Sequence, residues 1–227
     1  MIKMIPVITI DGPSGAGKGK LCQEITNILK WNFLDSGAIY RALALLALEN
    51  QINTNSEEDL CIIAMHLKIT FYSENGKVQV ILENKDISEK IRSQTISNLA
   101  SRIAILPRLR EVLLSFQRKF RVLPGLVTDG RDMGSIVFPD ALVKIFLDAS
   151  LSERVNRRKL QLQNNGFSVN FNNLVNQIQE RDERDYYRST SPLLLAPDAL
   201  KIDSTNIPMK QVLKIALSYV YEKLTLL

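Results

Sequence analysis

The run Val7-Ile-Thr-Ile10, leading with hardly a break into Gly12-Pro-Ser-Gly-Ala-Gly17-Lys18, constrains this chain more than any other part of it. Four apolar or β-branched residues read as a buried parallel strand. The glycine run is the G-x-x-x-x-G-K of a P-loop. Leu21, Cys22, Ile25, Ile28 and Leu29 then recur at helical spacing. Glycines let backbone N–H groups curl around an anion, the helix end adds partial positive charge, and lysine adds a full one. Gly12, Pro13, Ser14, Gly15, Ala16, Gly17, Lys18, Gly19 and Lys20 are therefore expected to hold nucleotide phosphates. One departure stands out. Gly19 and Lys20 follow the lysine where Ser or Thr is usual, so the hydroxyl that normally reaches Mg²⁺ is missing.

At 227 residues the chain is long enough to bury one sizeable core. Its 45% hydrophobic and 23% charged residues are those of an ordinary globular protein. No apolar run approaches the roughly 18 residues of a membrane span, and the N-terminus lacks a signal-peptide pattern. Cys22 and Cys61 are far apart and form neither a disulfide framework nor a metal cluster, so a cytoplasmic setting is expected. His66 is the only histidine, which excludes any triad needing a second one; it sits at a helix end and reads as structural. The net charge of +5 could suggest nucleic acid, but the fourteen arginines are dispersed among motifs rather than gathered in runs. That pattern suits convergent contacts to small anions.

Strands are expected near 7–10, 32–35, 126–129, 143–148 and 199–203, separated by helical segments. The alternation predicts an α/β fold with a doubly wound, five-stranded parallel sheet. Residues 68 to 87 interrupt it with a small antiparallel piece, in which Asn75-Gly76 supplies a hairpin turn. Helices are expected from Ser88 to about Leu106, from Pro107 to Phe120, from Asn172 to Tyr187 and from Met209 to Leu224. A further arginine-rich helix is bracketed by Ser152, Glu153 and Gly166. Polar residues gather just after the carboxyl ends of the strands, where such sheets bind ligands.

Four motifs in order resemble the bacterial cytidylate kinases, a family of P-loop nucleoside monophosphate kinases. They are the P-loop, Asp35-Ser-Gly-Ala-Ile-Tyr-Arg41, Asp129-Gly-Arg-Asp-Met-Gly134 with Val137-Phe-Pro139, and Arg181-Asp-x-x-Asp185-x-x-Arg188. The match runs from about residue 5 to 206. It implies one kinase domain: a core (about 1–35, 122–150 and 190–227), a monophosphate-binding region with the insert (about 36–121) and a short helical lid (about 151–170). It also implies transfer of the γ-phosphoryl of ATP, carried with Mg²⁺, to CMP or dCMP. Neither nucleic acid nor membrane is an expected partner, and a monomer is expected.

By the same resemblance, Ser36, Tyr40, Arg41, Arg131, Arg181 and Arg188 hold the acceptor nucleotide and its phosphate. Asp185 takes the sugar hydroxyls, and Asp132, Arg110 and Ser101 read cytosine. Lys18, Arg131, Arg188 and Arg158 are the expected catalytic residues. Arg181, Asp185 and Arg188 fall on one helical face, a spacing that a solvent-facing ladder of ion pairs shares. Among the lid arginines, Arg154 and Arg158 share a face and are the ones expected to close over the donor phosphates, with Arg157 between them. Kinases for other small acceptors stay open until the base-reading residues are tested.

The chemistry agrees on independent grounds. Phosphoryl transfer is positioning plus neutralisation of charge. A phosphate acceptor, with a second pKa of about 6, is largely a dianion at pH 7 and needs no general base. A chain with one histidine can do this.

Overall fold

The structure, a computed structural model, describes residues 5–74, 77–164, 166 and 168–225. The Asn75-Gly76 turn lies outside them.

β1 (Val7–Asp11) enters the P-loop and α1 (Lys18–Leu29) leaves it. β2 (Asn32–Asp35) and α2 (Ser36–Glu49) follow, then α3 (Glu57–Met65). Three antiparallel strands, β3 (Ile69–Glu74), β4 (Lys77–Leu82) and β5 (Lys85–Asp86), form the insert. α4 (Gln94–Ile103) and α5 (Pro107–Arg118) lead to β6 (Leu126–Gly130) and β7 (Val143–Asp148). α6 (Leu151–Asn164), α7 (Phe171–Tyr187), β8 (Leu200–Asp203) and α8 (Met209–Leu224) complete the chain. The five expected strands form one parallel sheet in the order β2-β6-β1-β7-β8.

Period-two alternation sorts the strand residues between two cores. Val7, Leu34 and Leu126 pack under α2, α4 and α5 on one face. Ile8, Ile10, Val127, Ile145 and Leu147 pack under α1 and α8 on the other. A slip of one residue would exchange these sets, so the register is strongly specified. α6 and α7 share a small core of their own, Val155, Leu174 and Ile178.

Two expectations are corrected. The helix expected from Ser88 begins only at Gln94, after a 3₁₀ turn (Lys90–Arg92). Ser88 Oγ accepts from the Val80 N–H, tying Ser88 to the insert, and Ser93 Oγ accepts from Ile96 N–H as the true cap. Serine competes for backbone donors, which is why it ends one element and starts the next. The lid helix is capped by Ser150, whose Oγ accepts from Glu153 N–H, and not by Ser152. Beyond β6, Met133–Val137 forms a π-helical turn.

Candidate active site

Every strand of the parallel sheet carries an aspartate at or next to its carboxyl end: Asp11, Asp35, Asp129, Asp148 and Asp203. Along this edge a cleft of about 560 Å³ runs from the P-loop to α4 and α7. Ten basic side chains and four carboxylates line it. That surplus exceeds the net +5 of the whole chain, so positive charge is focused in the cleft and the rest of the molecule is near neutral.

One end of the cleft is the P-loop. Gly12 has φ of 146°, and a Cβ there would stand 2.0 Å from Leu147 O, so only glycine lets β1 leave the sheet beside β7. Gly17 precedes α1 with φ of 100° and no side chain caps the helix. The first-turn N–H groups are thus left for an anion. Ser14, Gly15, Gly17, Lys18, Gly19 and Lys20 face the cleft, while Gly12, Pro13 and Ala16 are buried beneath. Lys18 folds back, its Nζ donating to Pro13 O at 2.8 Å. Burial and the positive charge of Arg131 lower its pKa to about 7.

The other end gathers the arginines. Arg131 Nε donates to Asp185 Oδ2 at 2.6 Å. Burial works against the Asp185 carboxylate, but Arg131 and Arg181 outweigh it and hold its pKa below the usual value. Among the described residues Arg181 has no such carboxylate bond; burial and Arg131 lower its pKa to about 10. Arg41 is paired with Asp35 at 2.7 Å, and the second oxygen of Asp35 caps α2 through Ala38 N–H. Arg110 hydrogen-bonds Asp132 Oδ2 and Ala104 O and lies 5.7 Å from the Tyr40 ring centre. Arg188, just past the end of α7, stands 3.5 Å from the other Asp132 oxygen. The structure brings Ser36, Tyr40, Arg41, Ser101, Arg110, Arg131, Asp132, Arg181, Asp185 and Arg188 around one cavity, Asp132 being buried at the head of the π-helical turn.

Buried polar atoms are nearly always hydrogen-bonded, so those that are not point to a missing partner. Among the described residues twelve side-chain atoms are buried without one, and seven belong to cleft residues. They include Tyr40 Oη, Ser101 Oγ and Arg110 Nε, which line the cleft with Asp132, and Arg188 Nη2, whose only partner is the 3.5 Å ion pair with Asp132. This corner is polar, with hydrogen-bonding capacity left unfilled.

The lid arginines separate. Arg158 faces the cleft, bonded to Gln161. Arg154 does not line it: its guanidinium is buried behind the P-loop, donating to Ala149 O and Ser14 O and pairing with Asp182 at 2.6 Å. Arg157, which the i,i+4 argument set aside, lines the cleft instead and bonds Ala16 O and Ser204.

Comparison with known proteins matches a family described as Cytidylate kinase over residues 8–222. The chain belongs to the cytidylate kinase family. A cytidylate kinase of Erwinia tasmaniensis is 58% identical over 226 residues, covering all of both chains. One of Yersinia pestis strain Pestoides F is 57% identical over 226 residues, covering 100% of this chain and 98% of that protein. Among solved structures, TT1252 from Thermus thermophilus is similar at 20% identity with a TM-score of 0.48, covering 98% of this chain and 99% of that one.

Two residues of this family member receive no role from sequence reasoning. Asp129, buried at the end of β6, faces Lys18 electrostatically and keeps Oδ1 unpartnered. Burial and Asp35 raise its pKa to about 7. Asp11 accepts from the N–H groups of Met133 and Gly134, anchoring the turn that presents Asp132. The signal that would have found both is the aspartate recurring at each strand end.

Proposed function

We propose that the chain transfers the γ-phosphoryl of MgATP to CMP or dCMP, giving CDP or dCDP and ADP, without a dedicated general base. The observation that carries this reading is the set of buried polar atoms without a hydrogen bond that line the cleft with Asp132. Cytosine offers an exocyclic amine to a carboxylate and acceptors at O2 and N3 for donors such as Arg110 and Ser101. Uracil reverses the pattern at two of these positions and would leave Asp132 without a donor.

The acceptor phosphate sits among Ser36, Arg41, Arg131, Arg181 and Arg188, and Asp185 takes sugar hydroxyls. Two polyanions repel until cations stand between them; here Lys18 and the arginines do so. The acceptor is already a dianion, so the cations align it and no residue removes a proton. Lys18 leaves Pro13 O to follow the transferring group, and Arg157 and Arg158 cover the donor phosphates.

The residues fit a Mg²⁺ ion that arrives with the nucleotide. Among the described residues no group of three potential ligands clusters, and Gly19 offers no hydroxyl. Asp129, with its partnerless oxygen, would accept from metal-bound water. When bound, the ion neutralises charge on the donor phosphates.

A core with a monophosphate-binding region and a lid, working as a cytoplasmic monomer, belongs to the same proposal. Both cysteines are buried and free, and among the described residues no helix is long and apolar enough to cross a membrane. The test is ADP release from MgATP with CMP, dCMP, UMP and AMP in parallel. Turnover highest with CMP and dCMP is expected; comparable turnover with AMP would overturn the reading.

A further inference from the structure

A second groove, of about 620 Å³, lies at the opposite, amino-terminal edge of the sheet. Its walls come from four separate pieces of chain: the end of α1, the start of β2, strand β3 of the insert, and the stretch after α5. Trp31, Phe71, Tyr72 and Phe120 give it aromatic sides. Phe71 meets Phe33 and Phe120 edge to face, with ring centres 6.0 and 5.5 Å apart. Trp31 lies on Gly125, where a Cβ would stand 2.5 Å from the indole, so the ring is held by backbone rather than swinging in solvent. The tyrosine side is 56% exposed, which leaves the groove open to a ligand.

Its charge is one-sided. Lys30 and Lys119 line the groove, no carboxylate does, and neither ammonium pairs with one among the described residues. Thr26, 3% exposed, also lines it and keeps its hydroxyl without a partner. Volumes of about 300–1,000 Å³ with aromatic walls and a few polar groups are those of small-molecule sites. Two unpaired lysines on aromatic walls select a flat ring bearing an anionic group.

We propose that this groove binds a small aromatic anion, a planar ring carrying a phosphate or carboxylate, at a site separate from the active cleft. The ring lies against Trp31, Phe71 and Tyr72 and its anion meets Lys30 and Lys119. Because the walls belong to both the core and the insert, an occupant fastens one to the other. α1 links the two sites, running from Lys18 in the cleft to the groove about 18 Å away, at 1.5 Å per residue.

Trp31 is the only tryptophan in the chain, so it reports on this groove alone. The probe is 1-naphthyl phosphate, titrated into full-length protein whose cleft is saturated with MgADP and CMP. Saturable change in Trp31 fluorescence, with one further bound probe counted by equilibrium dialysis, is expected. In Lys30→Ala/Lys119→Ala the dissociation constant should rise about tenfold or more, with kcat and both KM values unchanged. Equal binding of neutral 1-naphthol would reduce the groove to an apolar patch and overturn the proposal. So would displacement by inorganic phosphate at the same concentration, unaltered affinity in the double variant, or no further probe bound in dialysis.

Discussion

Arg154 of the lid helix α6 is paired with Asp182 of α7 at 2.6 Å, and the same guanidinium donates to Ser14 O in the P-loop. One side chain therefore spans the P-loop and the helix that carries Arg181 and Asp185. Burial pushes the Asp182 carboxyl above its usual value even with Arg154 beside it, so the pair gains little from solvation. What it supplies is distance. Asp182→Asn should lower kcat about 10²-fold, the order expected when reacting groups are misplaced by about 1 Å, with KM for ATP nearly unchanged. Steady-state kinetics beside a thermal melt checks this. A lower Tm with normal kcat would reduce the pair to a structural tie.

Nucleotide binding should draw in protons. Free Lys18 loses its proton around pH 7, because burial and Arg131 disfavour the cation. A bound phosphate favours that cation and raises its pKa. Asp129, raised to about 7 by burial and Asp35, shifts the same way beside an anion. Both groups thus take up protons above pH 7, and affinity for metal-free ADP should fall as pH rises from about 7 to 9, by up to tenfold per unit per proton. Calorimetry in buffers of different ionisation enthalpy measures the uptake directly. A buffer-independent heat at pH 8 would contradict it. Lys18→Ala should in addition cut turnover by orders of magnitude.

Base choice is expected to turn on Asp132. Replacing it with alanine would strand the buried charges of Arg110 and Arg188, so the amide is the cleaner probe. Asp132→Asn can donate to the uracil O4 and no longer presents a full negative charge to the cytosine amine. kcat/KM for CMP should drop about 10²-fold or more, while that for UMP holds or rises. Equal losses for the two substrates would remove Asp132 from base reading.

How far the sequence reveals all this differs from element to element. The five strands and the P-loop are plain because their signals are contiguous: apolar runs, glycines, and helical spacing behind them. Contacts between segments are less legible. Arg154, Arg157 and Arg158 lie at i, i+3 and i+4, so helical periodicity puts all three on nearly one face. Only the position of α6 against Ser14 and Ser204 sends Arg154 behind the loop and Arg157 beside it. The pairing of Arg41 with Asp35 was hidden for a similar reason. The segment is marked by motif, but the capping role that turns Asp35 toward Arg41 depends on where α2 begins. Asp11 and Asp129 gain no role from the sequence, Asp129 even inside its motif, because a single carboxylate after an apolar strand looks like the strand's end.

Asp11 offers the sharpest test of how the core and the site share one residue. Burial raises its pKa from 3.8 to about 6, although two backbone N–H groups stabilise the carboxylate. Between these values the native state holds a proton that the unfolded chain has lost. Stability therefore falls as pH rises from about 4 to 6, by about 3 kcal/mol for this group at 1.36 kcal/mol per unit. In Asp11→Asn that slope should be absent, so the difference from wild type in denaturant melts should change across this window and flatten above it. The amide accepts through one oxygen only, so one of the Met133 and Gly134 N–H groups also loses its partner, at a cost of about 1–3 kcal/mol. The turn that presents Asp132 then loosens. The same variant should raise the KM for CMP more than that for ATP, and a pH profile parallel to wild type would show that Asp11 titrates as an ordinary carboxylate.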